Sequence, residues 1–220
     1  MGNFIVQTLI YGILLILFTM GVIYVYKYFR PTFKKNPKIL LENSIILEDP
    51  NFKIRFTPND IPLPNIEKGD QLGVSFGFRV YLENAMENEK WGSRFDKLKP
   101  IIDFSPSIYY HPYDNYFEFG VEVKDNIQMT SIETLKYKDP PLQKWLNFIV
   151  VFSSTKIQVY IDNVLITSKK IKNPPIIKPR YLQIGEENNN VKGELGKIMY
   201  WPYPLDSSEI FNANKILVYG

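Results

Sequence analysis

Residues 72–82 read Leu-Gly-Val-Ser-Phe-Gly-Phe-Arg-Val-Tyr-Leu, and their large apolar side chains alternate with small or polar ones. Successive side chains of a β-strand point to opposite faces of the sheet, so this alternation predicts a strand with one buried face. The side chains predicted to face the core are Leu72, Val74, Phe76, Phe78, Val80 and Leu82.

Further strands are predicted along the rest of the chain. Residues 148–152 are apolar on both faces, which is typical of a central strand that is covered on both sides. Asp162 and Asn163 tolerate the left-handed backbone of a tight turn, so the residues around them are predicted to form a hairpin. The same alternation recurs at Phe117, Phe119, Val121 and Val123, and shorter apolar pairs follow at Leu182 and Ile184 and at Ile198 and Tyr200.

The pattern of short strands predicts an all-β fold. Pro, Asn, Asp and Gly separate the strands, and no stretch among them shows sustained helical spacing. Since a parallel sheet needs helical crossovers, we expect a two-sheet antiparallel sandwich over residues 45–220. Asp206 and Glu209 have the spacing of a capping box, which predicts one helical turn near the end of the chain.

The N-terminal segment from Phe4 to Tyr26 contains no charged residue. As a helix it measures about 34 Å, which is enough to span a bilayer core of roughly 30 Å. A cleavable signal peptide is the alternative, but the segment lacks a basic start and no Ala-x-Ala site follows it. Residues 1–30 are therefore predicted to form an uncleaved, single-pass transmembrane anchor.

Basic residues on one flank of this anchor predict its orientation. No basic residue precedes the anchor, so the positive-inside rule places the C-terminal domain on the cytoplasmic side of the membrane. Residues 31–44 are predicted to be a linker that lies on the lipid bilayer. The side chains predicted to bind its headgroups are Lys27, Arg30, Lys34, Lys35 and Lys38.

The composition excludes most enzyme chemistry. The 220 residues include no cysteine and one histidine, His111. This composition excludes Cys nucleophiles, Cys/His zinc sites and every Ser-His catalytic pair except one that uses His111. The formal net charge is +3, and the N-terminal flank supplies more than this, so the remaining chain is slightly acidic. We expect no nucleic-acid partner and no cofactor.

Several motifs in the second half occur in an order that resembles the concanavalin A-like, or laminin-G-like, jelly-roll domain. They are Trp145-Leu-Asn-Phe-Ile-Val-Val-Phe, Ile157-Gln-Val-Tyr-Ile-Asp-Asn-Val-Leu, Tyr181-Leu-Gln-Ile-Gly185, Gly193 to Tyr200 and Pro204-Leu-Asp-Ser-Ser-Glu-Ile210. In that family a tryptophan opens a central strand and a glycine usually stands where this chain has Asn163. The resemblance covers about residues 45–211 and implies a jelly roll.

A hairpin upstream narrows this resemblance. Ser107-Ile-Tyr-Tyr-His-Pro-Tyr-Asp-Asn-Tyr-Phe117 is similar to a hairpin in the versions of the domain that large DNA viruses encode. Such viral versions often follow one N-terminal membrane span. The resemblance therefore implies a membrane-associated protein of a virion.

The hairpin tyrosines form the candidate partner-binding surface. Tyr109, Tyr110 and Tyr113 are rigid aromatic side chains that anchor a protein partner or stack on a sugar, and the alternative is that they pack on their own sheet. His111 is expected to be exposed. Turn residues Asp114, Asp125 and Asp162 are calcium candidates by position only, and no metal site is predicted.

No catalytic residue is predicted. Glucanases of this superfamily carry a Glu-x-Asp-x-x-Glu string, because alternate carboxylates on one strand flank the glycosidic bond. That string is absent here, and Glu118 and Glu122 are interpreted as outward-facing charges on an alternating strand.

Two functions from different classes remain. The first is a non-enzymatic structural protein, a minor capsid or inner-membrane protein of a large DNA virus, which joins the virion's internal membrane to capsid or other membrane proteins. The second is a membrane-tethered carbohydrate-binding module with a glycan ligand. The predicted cytoplasmic position of the domain favours the first function, because a carbohydrate-binding module is expected to face the outside of the cell or the lumen.

Overall fold

The computed structural model describes residues 11–23, 33–49, 51–64, 72–83, 98–124, 129–187 and 191–219. The chain divides into two compact units, Met1–Lys34 and Lys35–Gly220. The first unit contains a helix and the second contains two β-sheets and a C-terminal helix.

Helix α1 in the first unit comprises residues 11–23, and its side chains are exposed. Among the residues that the structure describes, no helix is both long enough and apolar enough to cross a membrane. The predicted span continues at both ends to Phe4 and Tyr26, which lie outside the described residues. The transmembrane anchor thus stays a prediction.

The second unit contains thirteen strands within the described residues. In chain order they are β1 (Lys38–Leu41), β2 (Ile45–Ile46), β3 (Ile54–Phe56), β4 (Gly73–Leu82), β5 (Lys99–Asp103), β6 (Ser107–His111), β7 (Tyr116–Lys124), β8 (Thr130–Lys138), β9 (Trp145–Ser153), β10 (Lys156–Ile161), β11 (Val164–Lys170), β12 (Leu182–Ile184) and β13 (Gly193–Trp201).

These strands form two antiparallel sheets. The seven-stranded sheet has the order β1-β13-β4-β9-β10-β11, with β2 also paired to β13, and the six-stranded sheet has the order β3-β12-β5-β6-β7-β8. The predicted antiparallel sandwich is therefore confirmed. The predicted hairpin is confirmed as well, because β10 pairs with β11 across Asp162 and Asn163, which both have positive φ.

The main core lies between the two sheets. Phe78 and Phe148 of the seven-stranded sheet stack with ring centroids 4.9 Å apart, and Phe117 of the other sheet lies 4.8 Å from Phe148. Phe76 and Val150 are fully buried. The inward faces of β4, β7 and β9 are therefore those that alternation predicts.

A second helix, α2 (Ser207–Tyr219), packs on β4 and β9. The prediction of a single turn here is wrong, although its capping box is correct. The Asp206 Oδ1 atom accepts the Glu209 backbone N–H at 3.0 Å, and Glu209 Oε2 accepts the Asp206 N–H at 3.1 Å. Ile210, Ala213 and Leu217 are buried at the three- and four-residue spacing that places side chains on one helix face.

Helix α2 explains why residues 148–152 are apolar on both faces. Ile149 pairs with Gly77 of β4, and both lie on the side of the sheet away from the main core. A Cβ atom on Gly77 would lie 3.2 Å from Trp201 and 3.4 Å from Leu217, so the glycine lets this second layer approach closely. The predicted two-sided burial of β9 is confirmed, with α2 as the cover.

The sandwich begins earlier in the chain than residue 45. Strand β1 pairs with β13, with Lys38 opposite Tyr200, so the segment predicted to be a linker contains a strand of the sandwich. Lys34, Lys35 and Lys38 are exposed, and the Lys35 backbone N–H donates to the Tyr203 hydroxyl at 3.2 Å. The other two predicted headgroup ligands, Lys27 and Arg30, lie outside the described residues.

Candidate functional site

A cleft of about 250 Å³ opens on the outer face of the six-stranded sheet. Its floor is one cross-strand row of small residues, because Gly120 of β7 pairs with Ser107 of β6 and with Thr134 of β8. Larger side chains of the neighbouring rows, Glu118 and Glu122, flank this floor. The shape of the cleft therefore follows from a small residue at the centre of three adjacent strands.

Gly120 keeps the cleft open. A Cβ atom at this position would lie 2.9 Å from Ser107 Oγ and 3.5 Å from Ile132 Cγ2. The Ser107 hydroxyl instead reaches the Gly120 carbonyl oxygen at 3.5 Å. A larger side chain at residue 120 would fill the space between these walls.

One wall of the cleft is formed by an ion pair. Arg180 Nη1 lies 2.8 Å from Glu122 Oε1, and the guanidinium carbon lies 6.0 Å from the centre of the Phe104 ring. This aromatic contact and the ion pair hold the guanidinium plane beside the floor. Three carboxylates, from Asp103, Glu118 and Glu122, line the cleft with Arg180, so its lining is acidic overall.

Tyr109 forms the opposite wall. Its hydroxyl donates to Asp103 Oδ1 at 3.2 Å. Burial of the phenol, together with the negative charge of Asp103, raises the pKa of Tyr109 to about 12. The phenol is therefore a neutral hydrogen-bond donor across the physiological pH range.

The structure separates the three tyrosines predicted to form one contact surface. Tyr109 lines the cleft, whereas Tyr110 is 3% exposed and lies in the main core, where its hydroxyl donates to Asn115 Oδ1 at 2.9 Å. Tyr113 lies in the turn after β6 and is 46% exposed. Adjacent residues of a strand point to opposite faces, so the prediction of a shared surface is wrong for Tyr110.

His111 is buried, which corrects the prediction that it is exposed. Its Nδ1 atom accepts the Asp114 backbone N–H at 3.0 Å, and its ring stacks on Tyr116 with centroids 4.9 Å apart. Both contacts close the turn between β6 and β7. The histidine therefore has a structural role in this turn.

The calcium candidates occupy separate places. Asp114 lies in the β6–β7 turn, Asp162 lies in the β10–β11 turn and accepts the Asn147 side-chain amide at 2.6 Å, and Asp125 lies outside the described residues. Within the described part of the chain, no group of three or more His, Cys, Asp or Glu side chains is placed to hold a metal ion.

Sequence reasoning missed most of the cleft. Asp103 of β5, Gly120 of β7 and Arg180 of the segment before β12 are brought together only by the tertiary fold. The sequence did contain one signal, Gly120. A glycine inside a strand of alternating apolar side chains often marks a place where a ligand or another backbone segment comes close.

No protein-family model and no curated protein matches this chain. Its structure is similar to the receptor-binding domain of botulinum neurotoxin D, with a TM-score of 0.60 and 13% sequence identity over 84% of this chain and 49% of that one. The same domain of the C/D mosaic serotype gives a TM-score of 0.59 at 13% identity, with 84% and 48% covered. The serotype D ligand-binding domain in complex with N-acetylneuraminic acid gives 0.56 at 12% identity, with 84% and 47% covered.

These similarities establish the fold. The chain spans about half the length of the toxin domains that it matches. At this level of identity the shared feature is the β-sandwich fold, which agrees with the jelly roll that the sequence motifs imply.

Proposed function

We propose that this chain is a non-enzymatic, membrane-anchored binding domain whose cleft on the six-stranded sheet binds a carbohydrate. The observation that carries the proposal is the small-residue floor at Gly120, which is flanked by a guanidinium, a phenol and carboxylates. The geometry thus favours the function that the sequence placed second.

The chemistry of the cleft suits a sugar ring. Carboxylates accept hydrogen bonds from hydroxyl groups, as the Tyr109 oxygen also can while its O–H donates to Asp103, whereas the remaining N–H groups of Arg180 donate. A floor without a large side chain admits a ring edge. The N-acetylneuraminic acid bound by one of the toxin domains supports a saccharide in general terms. Because this cleft is acidic, we expect a neutral or amino sugar to bind better than an acidic one.

The ion pairs of the two glutamates favour binding over hydrolysis. Glu118 and Glu122 lie four residues apart on β7, and each is held by a cation, Glu118 by Lys136 at 3.3 Å and Glu122 by Arg180 at 2.8 Å. A carboxylate in such a pair is oriented towards its cation, whereas a glycosidase aims both of its carboxyl groups at the glycosidic bond.

A panel of neutral, amino and sialylated oligosaccharides tests this proposal on the full-length protein in a detergent that carries no sugar. We expect saturable binding of a neutral or amino saccharide by calorimetry and no hydrolysis. Gly120→Val fills the cleft and should abolish this binding. The control is Thr130→Val, which places the same valine side chain at an exposed position of β8 outside the cleft. Binding that survives Gly120→Val, or no saccharide bound at all, would refute the proposal.

A second proposal is the structural role in a large DNA virus, with the domain joining an internal membrane to the capsid shell. Beside the sequence resemblance, the specific observation is the edge strand β11, where Val164, Leu165 and Ile166 are 60%, 48% and 40% exposed. An exposed apolar edge strand is a surface that another chain can pair with. Anchoring raises the effective concentration of such a surface, so a modest interface is sufficient.

The two proposals require opposite sides of the membrane. Digestion of residues 40–220 by protease added to sealed microsomes, the outcome that the basic flank predicts, would favour the structural proposal. Cross-linking mass spectrometry on intact particles should then join β11 to a capsid or membrane protein. Full protection of the domain from protease would remove the structural proposal and favour a carbohydrate ligand outside or in the lumen.

A further inference from the structure

A second pocket, of about 310 Å³, lies on the seven-stranded sheet beside the last turn of α2. Two cationic side chains line it, Arg79 of β4 and Lys197 of β13, together with Trp145, Glu42 and the apolar Leu217. This pocket shares no residue with the carbohydrate cleft, which lies on the other sheet.

Arg79 has an unsatisfied hydrogen-bond donor in this pocket. Its guanidinium carbon lies 4.7 Å from the centre of the Trp145 ring, so the ring supports one face of the planar cation. Its Nε atom is buried and has no hydrogen-bond partner. A buried donor without a partner is costly, and such an atom in a native structure calls for an explanation.

Gly196 is needed for this stacked arrangement. A Cβ atom at residue 196 would lie 3.1 Å from Arg79 Cβ and 3.3 Å from Trp145 Cζ3. Glycine therefore lets β13 pass close to the stacked pair. Strands β4, β9 and β13 therefore hold the Arg79 guanidinium in a fixed position.

Lys197 supplies the second cation. Its side chain is 9% exposed, and its Nζ atom lies 2.8 Å from Oε1 of Glu42, whose own side chain is 52% exposed. A buried amine is thus neutralised by a carboxylate that reaches in from the surface. With two cations against one acid, the pocket keeps an excess positive charge. The C-terminal end of α2 stabilises these cations, and its partial negative charge offsets part of the excess.

We infer that this pocket binds a phosphate group, with Arg79 and Lys197 as its ligands and the Glu42 carboxylate as the group that the phosphate displaces. A guanidinium presents parallel N–H donors that match phosphate oxygens, and the ammonium of Lys197 adds a point charge. Asn43 and Ser44, which also line the pocket, offer further polar groups.

Two sources of phosphate fit this chemistry. Residues 42–44 follow directly on the basic segment that contains Lys34, Lys35 and Lys38, which is predicted to lie on lipid headgroups. A phospholipid headgroup is therefore one source, and a soluble phosphate ester is the other. The inference is independent of the ligand in the carbohydrate cleft.

Calorimetry with inorganic phosphate tests the site on the full-length protein in a polyoxyethylene ether detergent, which carries neither phosphate nor sugar. We expect saturable binding that Lys197→Met weakens about tenfold, as for loss of a charge-assisted hydrogen bond. Arg79→Lys should weaken it similarly. Glu42→Gln should strengthen it, because the competing carboxylate charge is removed. The matched control Lys172→Met, at an exposed lysine outside the pocket, should bind as the unmodified protein does.

The side-chain N–H resonance of Arg79, identified by its loss in Arg79→Lys, locates the ligand and distinguishes the sources. A shift on addition of inorganic phosphate, and also in nanodiscs that contain phosphatidic acid without added phosphate, identifies a headgroup site. A shift with inorganic phosphate alone identifies a site for a soluble phosphate compound. No saturable binding, or binding that Glu42→Gln leaves unchanged, would overturn the inference. If Arg79→Lys does not fold, phosphate binding by Glu42→Gln and Lys197→Met still tests the inference, and melting curves establish that these two variants are folded.

Discussion

The outer faces of the two sheets differ in composition where each is best defined. On the seven-stranded sheet the outward side chains beneath helix α2 are apolar or small, with Ile149, Val151 and Trp201 all buried, and the cations Arg79 and Lys197 lie beside its last turn. On the six-stranded sheet the corresponding positions carry Tyr109, Glu118 and other polar residues around an open cleft.

The two inner faces both form the apolar core, so the outer faces are what distinguishes the two sheets. An apolar outer face has to be covered for the sheet to be stable in water, so its residues are explained by packing. Charged side chains around a small-residue floor add little to stability, since exposed ion pairs contribute about 0 to 1 kcal/mol. Under the proposed function, their role is to bind a ligand.

The largest expected effect on stability comes from a substitution in the core between the two sheets. Val150→Asp should abolish cooperative unfolding, because an unpaired buried charge costs about 3 to 5 kcal/mol out of a typical total of about 5 to 15 kcal/mol. Ile132→Asp, at a side chain 67% exposed on the open sheet, is the matched control and should melt normally. Circular dichroism of the full chain in detergent measures both, and a normal melt for Val150→Asp would contradict the assigned inward face.

The next effect concerns the covered outer face. Leu217→Ala removes a side chain 2% exposed between α2 and the sheet, and it should lower the free energy of unfolding by about 2 to 5 kcal/mol. Tyr219→Ala, in the same helix and 87% exposed, should change it by less than about 0.5 kcal/mol. Equal effects of the two substitutions in denaturant titrations would show that α2 does not cover the sheet.

A smaller effect is expected at the start of that cover. Asp206→Ala removes the acceptor of the Ser208 and Glu209 backbone N–H groups and should cost about 1 kcal/mol. Ser207→Ala, at the neighbouring exposed position, is the control and should be close to neutral. If both variants melt alike, the cap does not stabilise α2.

The smallest effect is a pH dependence on the open face. The pKa of Tyr109 is raised from 10.0 to about 12 in the folded protein, so its neutral form is favoured by folding. Its contribution to stability is therefore complete below about pH 10 and is lost as the pH rises towards about 12. Tyr109→Phe should remove this part of the alkaline loss of stability, and the phenolate absorbance of the unmodified protein should include one late-titrating group that the variant lacks.

The sandwich could be predicted from the sequence because the alternation of apolar and polar side chains along a strand indicates which of them face the core. Sequence reasoning missed α2 because Ile210, Ala213 and Leu217 lie in an asparagine-containing run with a weak helical signal, although the apolar outer face of β9 already required a cover. It misplaced Tyr110 although strand alternation applies equally to the hairpin. The cleft depends on pairing between β6, β7 and β8, and a single sequence does not contain that register.

The most direct test of carbohydrate binding maps a bound saccharide onto the two outer faces. Amide resonances of the full-length protein would be followed while a neutral or amino oligosaccharide that binds in calorimetry is added. We expect shifts at Ser107, Gly120 and Thr134 on the open sheet and none at Ile149 or Leu217 beneath α2. Shifts confined to the seven-stranded sheet, or cleavage of the saccharide during the titration, would contradict the proposal.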